Sequence, residues 1–203
     1  MQLDIPYADL SFALSGEKLP LDHGYCLYSA IATHIPGIHG QPWVSIHSIN
    51  GIPDKRGSIK LTEDSRLKLR LPVDKIPVVY PLAERRLNLK EYHIRLYAPE
   101  VLILQPEPSL RSRIVVISNY LEPEPFLEAA TTQLVHLGIT GDISIASNSA
   151  GGLARRVIRI KERVNVGFGV EIAGLNPEDS LRLQQHGLGG KHRMGCGIFV
   201  PLN

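Results

Sequence analysis

The stretch Gly187-Leu188-Gly189-Gly190-Lys191-His192-Arg193-Met194-Gly195-Cys196-Gly197, followed by Ile198-Phe199-Val200-Pro201, decides how the rest of the chain is read. Five glycines flank a Lys-His-Arg triplet. Glycine admits positive φ and close backbone approach, so successive N–H groups can converge on an anion while the neighbouring cations meet it. Two familiar phosphate loops are excluded. A Walker loop needs Gly where Gln185 stands and Ser or Thr where His192 stands. The dinucleotide fingerprint, read from Gly187, finds His192 in place of its third Gly, and too little chain follows for a βαβ unit. The loop instead precedes a short apolar terminal strand, Ile198 to Val200.

Working back from that strand, Pro177 to Gln185 predicts a helix that opens on Glu178 and Asp179, whose charges suit a helix N-terminus. Val157 to Phe168 predicts one long strand, joined to Ile143-Ser144-Ile145 through the loop Ser147 to Gly152. Glu122 to Leu137 predicts a helix with Phe126, Leu127, Ala130, Leu134 and Leu137 on one side, and Arg113 to Ile117 a strand. Pro106-Glu107-Pro108 is the best linker, which divides the chain into domains 1–106 and 107–203.

The first half has the same order of elements. Asp9 to Ser15 alternates as a strand, and Asp22 is the expected N-cap of a helix that Pro36-Gly37 stops. Trp43 to Ile49 returns to period two. In Arg66 to Leu71 leucines alternate with cations, which predicts one buried face and one wet, basic face. Lys75 to Arg86 is a weak helix broken by Pro77 and Pro81, and Tyr92 to Leu104 a long apolar strand. Each half reads βαββαβ, so the expected fold is α+β: two tandem ferredoxin-like (RRM-like) halves with a C-terminal glycine-rich loop. The repetition lies in element order alone.

Composition narrows the class further. The 203 residues are 43% hydrophobic, ample for a packed core, and the formal net charge is only +2, so a polyanion partner is signalled by where the cations sit and not by their sum. They gather in Ala154 to Arg163 and in the terminal loop. Met1 to Ile5 lacks the features of a signal segment and no run reaches membrane-span length, which implies a cytoplasmic protein with no membrane partner. The two cysteines, Cys26 and Cys196, form no CxxC pair. His23 and Cys26 have helix spacing for a metal pair, but no third ligand presents itself, so neither metal nor cofactor is expected.

The glycine loop before a terminal strand resembles that of the CRISPR repeat-processing endoribonucleases, the sixth Cas family. The segments Leu14-Ser15-Gly16, Asp22 to Ile31, Ser65 to Pro72 and Glu178 to Gln184 are similar, in the same order, to the Myxan-type branch of that family. The resemblance implies RNA cleavage without metal, with the 2′-hydroxyl beside the scissile phosphate as nucleophile. It also implies a histidine general base in or just after the first helix. His39, in the loop after Pro36-Gly37, is the first candidate, and His34, in the last helical turn, the second. Tyr28, with His23 and Tyr25, is a candidate for the acid or for positioning phosphate; packing is the alternative for the tyrosines and capping for His23. His47 reads as a satisfied sheet residue, and Lys55, Arg56 and Lys60 are weaker candidates for stabilising the phosphorane.

Binding is expected from Arg155, Arg156, Arg159 and Lys161, with Arg163, along one strand. Lys191, His192 and Arg193 join them, with N–H groups from Gly187, Gly189 and Gly190. The implied partners are CRISPR repeat RNA, as a crRNA stem-loop, and other Cas subunits of a Cascade-like complex serving defence or a transposon. Two other readings stand beside this one: a non-catalytic subunit that holds the RNA hairpin, and a ferredoxin-like binding protein with no nucleic acid.

Overall fold

The computed structural model describes residues 5–148 and 150–202. Met1 to Asp4, on which the reading of the N-terminus partly rested, and Ser149 of the connecting loop lie outside them. The chain divides into two compact units between Ile103 and Leu104.

In the first unit the chain runs β1 (Tyr7–Ser15), β2 (Lys18–Pro20), α1 (Gly24–His34), β3 (Ser45–Ile46), β4 (Ile52–Pro53), β5 (Ser58–Lys60) and β6 (Arg66–Pro72). A 3-10 turn (Val73–Lys75), α2 (Ile76–Val79) and a second 3-10 turn (Tyr80–Leu82) lead to β7 (Arg86–Leu89) and β8 (Tyr92–Ile103). The main sheet is antiparallel in the order β3-β6-β1-β8-β7, the βαββαβ arrangement with β7 added at an edge. A separate small sheet has the order β2-β5-β4. Leu10 pairs with Leu69 and Phe12 with Leu67 across β1 and β6, and all four are fully buried. On α1, Leu27, Tyr28, Ala30 and Ile31 form the buried stripe. Pro77 and Pro81 do not interrupt a helix; each stands in the opening turn of its own short element, where a missing N–H costs nothing.

Two expectations fail here, the first because a buried charge demands a partner. The cationic face of β6 is not wet throughout: Arg70 is 2% exposed. Its cross-strand neighbour is Asp9, and the guanidinium grips that carboxylate with Nε at 2.7 Å and Nη2 at 3.0 Å. His47 Nε2 stands 3.5 Å from the same carboxylate. Burial alone would raise the Asp9 carboxyl, but His47 and Arg70 outweigh it and hold it well below its ordinary value. Breaking such a pair by removing one partner costs roughly 3–5 kcal/mol. The second is the N-cap of α1, which is not Asp22 but the residue after it. His23 holds the N-cap position, and its side chain does not cap the helix. The His23 ring is buried, its Nδ1–H donating to Pro20 O (2.8 Å) and its Nε2 accepting from Ile49 N–H (2.9 Å).

The second unit contains β9 (Leu110–Val115), α3 (Pro123–His136), β10 (Asp142–Ile145), β11 (Arg155–Ile160), β12 (Arg163–Ala173), α4 (Pro177–His186), a 3-10 turn (His192–Met194) and β13 (Val200–Pro201). Its sheet has the order β10-β12-β9-β13, with β11 paired to the first half of β12. Phe126 of α3 meets Phe168 of β12 with ring centroids 4.7 Å apart, at the centre of the apolar core. The expected single strand over Val157 to Phe168 is two strands of a hairpin, turned at Lys161, which adopts φ 54°. The Pro-rich segment placed at the boundary belongs to this unit. Gln184 Nε2 donates to Gln105 O and Ser180 Oγ accepts from Glu107 N–H, both at 2.8 Å, so α4 grips it and the division falls before it.

Burial lowers the His47 imidazole, more than its contact with Asp9 raises it. The native state therefore binds fewer protons than the unfolded chain, and stability is lost as pH falls through about 6.5, the unfolded imidazole value. Chemical denaturation from pH 8 to pH 5 is expected to show this decline, and His47→Gln to flatten it; an unchanged slope in the variant would assign the decline to other groups.

Candidate functional site

α1 ends because Pro36 follows Ile35, and the chain then makes a 3-10 turn over Pro36–Ile38. Ile38 is fully buried and fixes that turn. His39 caps it in an extended conformation, its N–H donating to Pro36 O at 3.2 Å, which leaves the imidazole exposed. Tyr28 lies on the buried stripe of α1, and its hydroxyl meets His39 Nδ1 at 2.8 Å. The two rings are near parallel, with centroids 6.1 Å apart. One imidazole nitrogen is thus held by a phenol rooted in the core, and Nε2 has no partner among the described residues. A ring fixed in this way and open at Nε2 can exchange a proton with a substrate hydroxyl.

The other histidines of this region do not join the pair. His34 Nε2 donates to Arg86 O at 3.1 Å and ties the last turn of α1 to β7. Both nitrogens of His23 are used between β2 and the segment before β4. His47 belongs to the Asp9–Arg70 cluster. Among the described residues no three His, Cys, Asp or Glu side chains are placed to share a metal ion, and no helix is long and apolar enough to cross a membrane.

In the second unit the hairpin of β11 and β12 carries the cations. Arg155, Arg156, Arg159, Lys161 and Arg163 are all exposed. The strand period separates Arg155 and Arg159 from Arg156, which shares its side of β11 with the buried Ile158. The turn places Lys161 at the tip and Arg163 on the return strand. The cations therefore surround the hairpin and do not line one face, as a single strand would have had them do.

The glycine loop reverses part of its expectation. Its N–H groups are not free to converge on a phosphate. Gly187 donates to Leu183 O (2.8 Å), Gly189 to Gln133 Oε1 (2.7 Å), Gly190 to Val116 O (2.9 Å) and Gly197 to Ile114 O (2.7 Å). The glycines are required by close approach within the protein. A Cβ on Gly197 would stand 2.1 Å from Leu188 O, and one on Gly187 would stand 2.2 Å from Gly197 O. Gly190 is the exception: its φ is ordinary and no atom lies within 4 Å of where a Cβ would be. His192 is also internal, its Nε2 lying 3.3 Å from Leu188 O and burial lowering its basicity. Arg193 is half-buried, and Lys191, held at φ 66°, is the exposed cation of the triplet. Gln133 was missed; a lone glutamine on a helix carries no sequence signal of a loop partner so far along the chain.

A family model described as Cas6, "Cas6 Crispr", matches residues 8–203. A curated protein of Myxococcus xanthus (strain DK1622), the "CRISPR-associated endonuclease Cas6", is 33% identical over 195 residues, covering 96% of this chain and 81% of that protein. Among solved structures, one described as "CRISPR associated protein Cas6" has a TM-score of 0.69 at 12% identity, covering 98% of this chain and 99% of its own. A Cas6-related protein from Pyrococcus furiosus has a TM-score of 0.71 at 14% identity, covering 96% of this chain and 98% of its own. At those identities the two structures bear on fold alone.

Because Leu188 O occupies the place of its side chain, Gly197→Ala is expected to destabilise the protein by roughly 3 kcal/mol. Gly37→Ala, at a helical position with open space, is expected to be neutral or stabilising by up to about 1 kcal/mol. Urea denaturation of the two variants checks the contrast.

Proposed function

The chain belongs to the Cas6 family of CRISPR-associated proteins, and from that premise we propose that it is a metal-independent endoribonuclease that cuts CRISPR repeat RNA to mature crRNA. The observation that carries this reading is the 2.8 Å contact between Tyr28 Oη and His39 Nδ1. With the proton on Nδ1 and donated to the phenol oxygen, Nε2 is the base that takes the proton of the 2′-hydroxyl. The 2′ oxygen attacks the adjacent phosphorus as the bond to the 5′ oxygen breaks, which gives a 2′,3′-cyclic phosphate and a 5′-hydroxyl. The proton that Nε2 takes from the 2′ oxygen is given back to the leaving 5′ oxygen, directly or through solvent, so the ring is regenerated and the reaction balances with no water consumed. Tyr28 positions the ring, and His34 has no part in the step.

The RNA is held by the second unit. Arg155, Arg156, Arg159, Lys161 and Arg163 of the hairpin meet backbone phosphates, and Lys191 extends that set. Gly190 supports a role for the loop, because the space where a side chain would stand is open, as suits close approach by a sugar-phosphate chain. The enzyme works in the cytoplasm and keeps its product hairpin within a Cascade-like complex of other Cas subunits, serving defence or a transposon.

End-labelled repeat RNA incubated in EDTA is expected to be cut once by the wild type, and a repeat with a 2′-deoxy sugar at the cut site to survive. His39→Ala should lose roughly 10²–10⁴ of the rate while still binding. Tyr28→Phe should lose less, and His34→Ala should stay near wild type. Tight binding with no cleavage by the wild type would replace the enzyme with a subunit that only holds the hairpin. The Arg155→Ala/Arg156→Ala variant should bind the repeat more weakly, with a shallower dependence of log K on log salt; an unchanged slope in filter binding would remove the hairpin from the interface.

A further inference from the structure

The small sheet of the first unit carries a charge arrangement that neither the fold nor the Tyr28–His39 pair uses. Its inner face is apolar, with Leu19 at 0% and Ile59 at 4% exposure. On its outer face Lys18 of β2 stands directly opposite Lys60 of β5, and Lys60 in turn is the partner of Ile52 on β4. Lys18, Lys60 and Ile52 therefore form one row across three strands, all exposed, with Ile52 at 60%. Like charges directly opposite one another destabilise a sheet. Among the described residues no carboxylate forms an ion pair with Lys18, Lys55 or Lys60, so the repulsion is not neutralised within the protein.

The β4–β5 loop beside this row adds Lys55 and Arg56, and it is built to be rigid. Asp54 Oδ1 accepts from Arg56 N–H (2.8 Å) and Ser58 N–H (2.9 Å), Oδ2 accepts from Ser58 Oγ (2.5 Å), and Asp54 N–H closes the turn on Ser58 O (2.8 Å). Asp54 is the carboxylate that faces Arg56, and its oxygens are committed to that turn. The sheet is anchored as firmly. His23 links Pro20 at the end of β2 to Ile49, and Ser65 Oγ donates to Asn50 O at 2.7 Å. The lysines thus stand on a platform fixed to the N-terminal end of α1, the helix that carries Tyr28.

We propose that the outer face of this sheet is a second RNA-contact surface, separate from the basic hairpin, which takes the sugar-phosphate chain of an unpaired segment. A phosphate shared by Lys18 and Lys60 relieves their repulsion, and the exposed Ile52 offers an apolar seat to a splayed base, which a duplex would keep stacked inside. Lysine presents point charges with no planar fork, so the contact is made without reading sequence. This inference rests on the reading of the chain as a repeat-RNA endonuclease.

The test uses the full chain and two RNAs, a repeat hairpin alone and the same hairpin with unpaired flanks at both ends, titrated at several salt concentrations. In Lys18→Ala/Lys60→Ala the flanked RNA is expected to bind roughly tenfold more weakly, with a log K against log salt slope shallower by about 0.7, the contribution of the one phosphate the two lysines share. The hairpin alone should bind as it does to the wild type, and the melting temperature should be unchanged or raised as the opposed charges are removed. Equal binding of the flanked RNA by variant and wild type overturns the proposal and leaves the function reading intact, as does an equal loss for both RNAs. A wild type that binds neither RNA overturns the function reading, and the proposal with it.

Discussion

The carbonyl of Leu188 and the α-carbon of Gly197 approach so closely that only glycine fits between them, and the second unit is assembled around that contact. The loop doubles back on itself there, and its amides reach outward to a strand and a helix: Gly197 to Ile114 near the end of β9, Gly190 to Val116 just beyond it, and Gly189 to Gln133 on α3. Helix, sheet and loop are thereby closed at one end by hydrogen bonds, two of which, from Gly189 and Gly197, a side chain at the donor would disturb. The same closure sets what the loop leaves exposed: with these amides bonded internally, Lys191 and the open space at Gly190 are what it presents.

The first unit is organised on a different principle. Its Tyr28–His39 pair is rooted in the core by Tyr28 and delivered to the surface by a turn that Pro36 and Ile38 fix. Preorganisation of this kind needs no loop closure to set the imidazole: the ring is held in the free protein by groups that have already lost their freedom on folding. The Tyr28–His39 pair and the basic hairpin are built on separate units of the chain.

Much of this was legible in the sequence because it depends on local period. β1, α1, α3, β8 and α4 announce themselves by alternation or by helical stripes, and the tandem order of the two halves follows from them. What was not legible depends on partners distant in the chain. The alternation in β6 reads as one wet face because cations are solvated by default, and only Asp9, 61 residues away, makes Arg70 internal. The hairpin at Lys161 was hidden because a lysine at positive φ replaces the glycine or asparagine that usually marks such a turn. The Tyr28–His39 pair stands between the two cases. Both residues were candidates from the resemblance, but their bond spans a helix end whose turn angle no pattern specifies.

The position of β1 also has a consequence for how the chain is made. It is a central strand, hydrogen-bonded to β6 on one side and to β8 on the other, so its second partner is not complete until Ile103. During synthesis β1 must wait for β8, far along the chain, before both of its edges are covered, and in that interval it is an open template for stray pairing. Asp9, in the middle of that strand, places a charge on the waiting segment that discourages such pairing until Arg70 arrives to neutralise it.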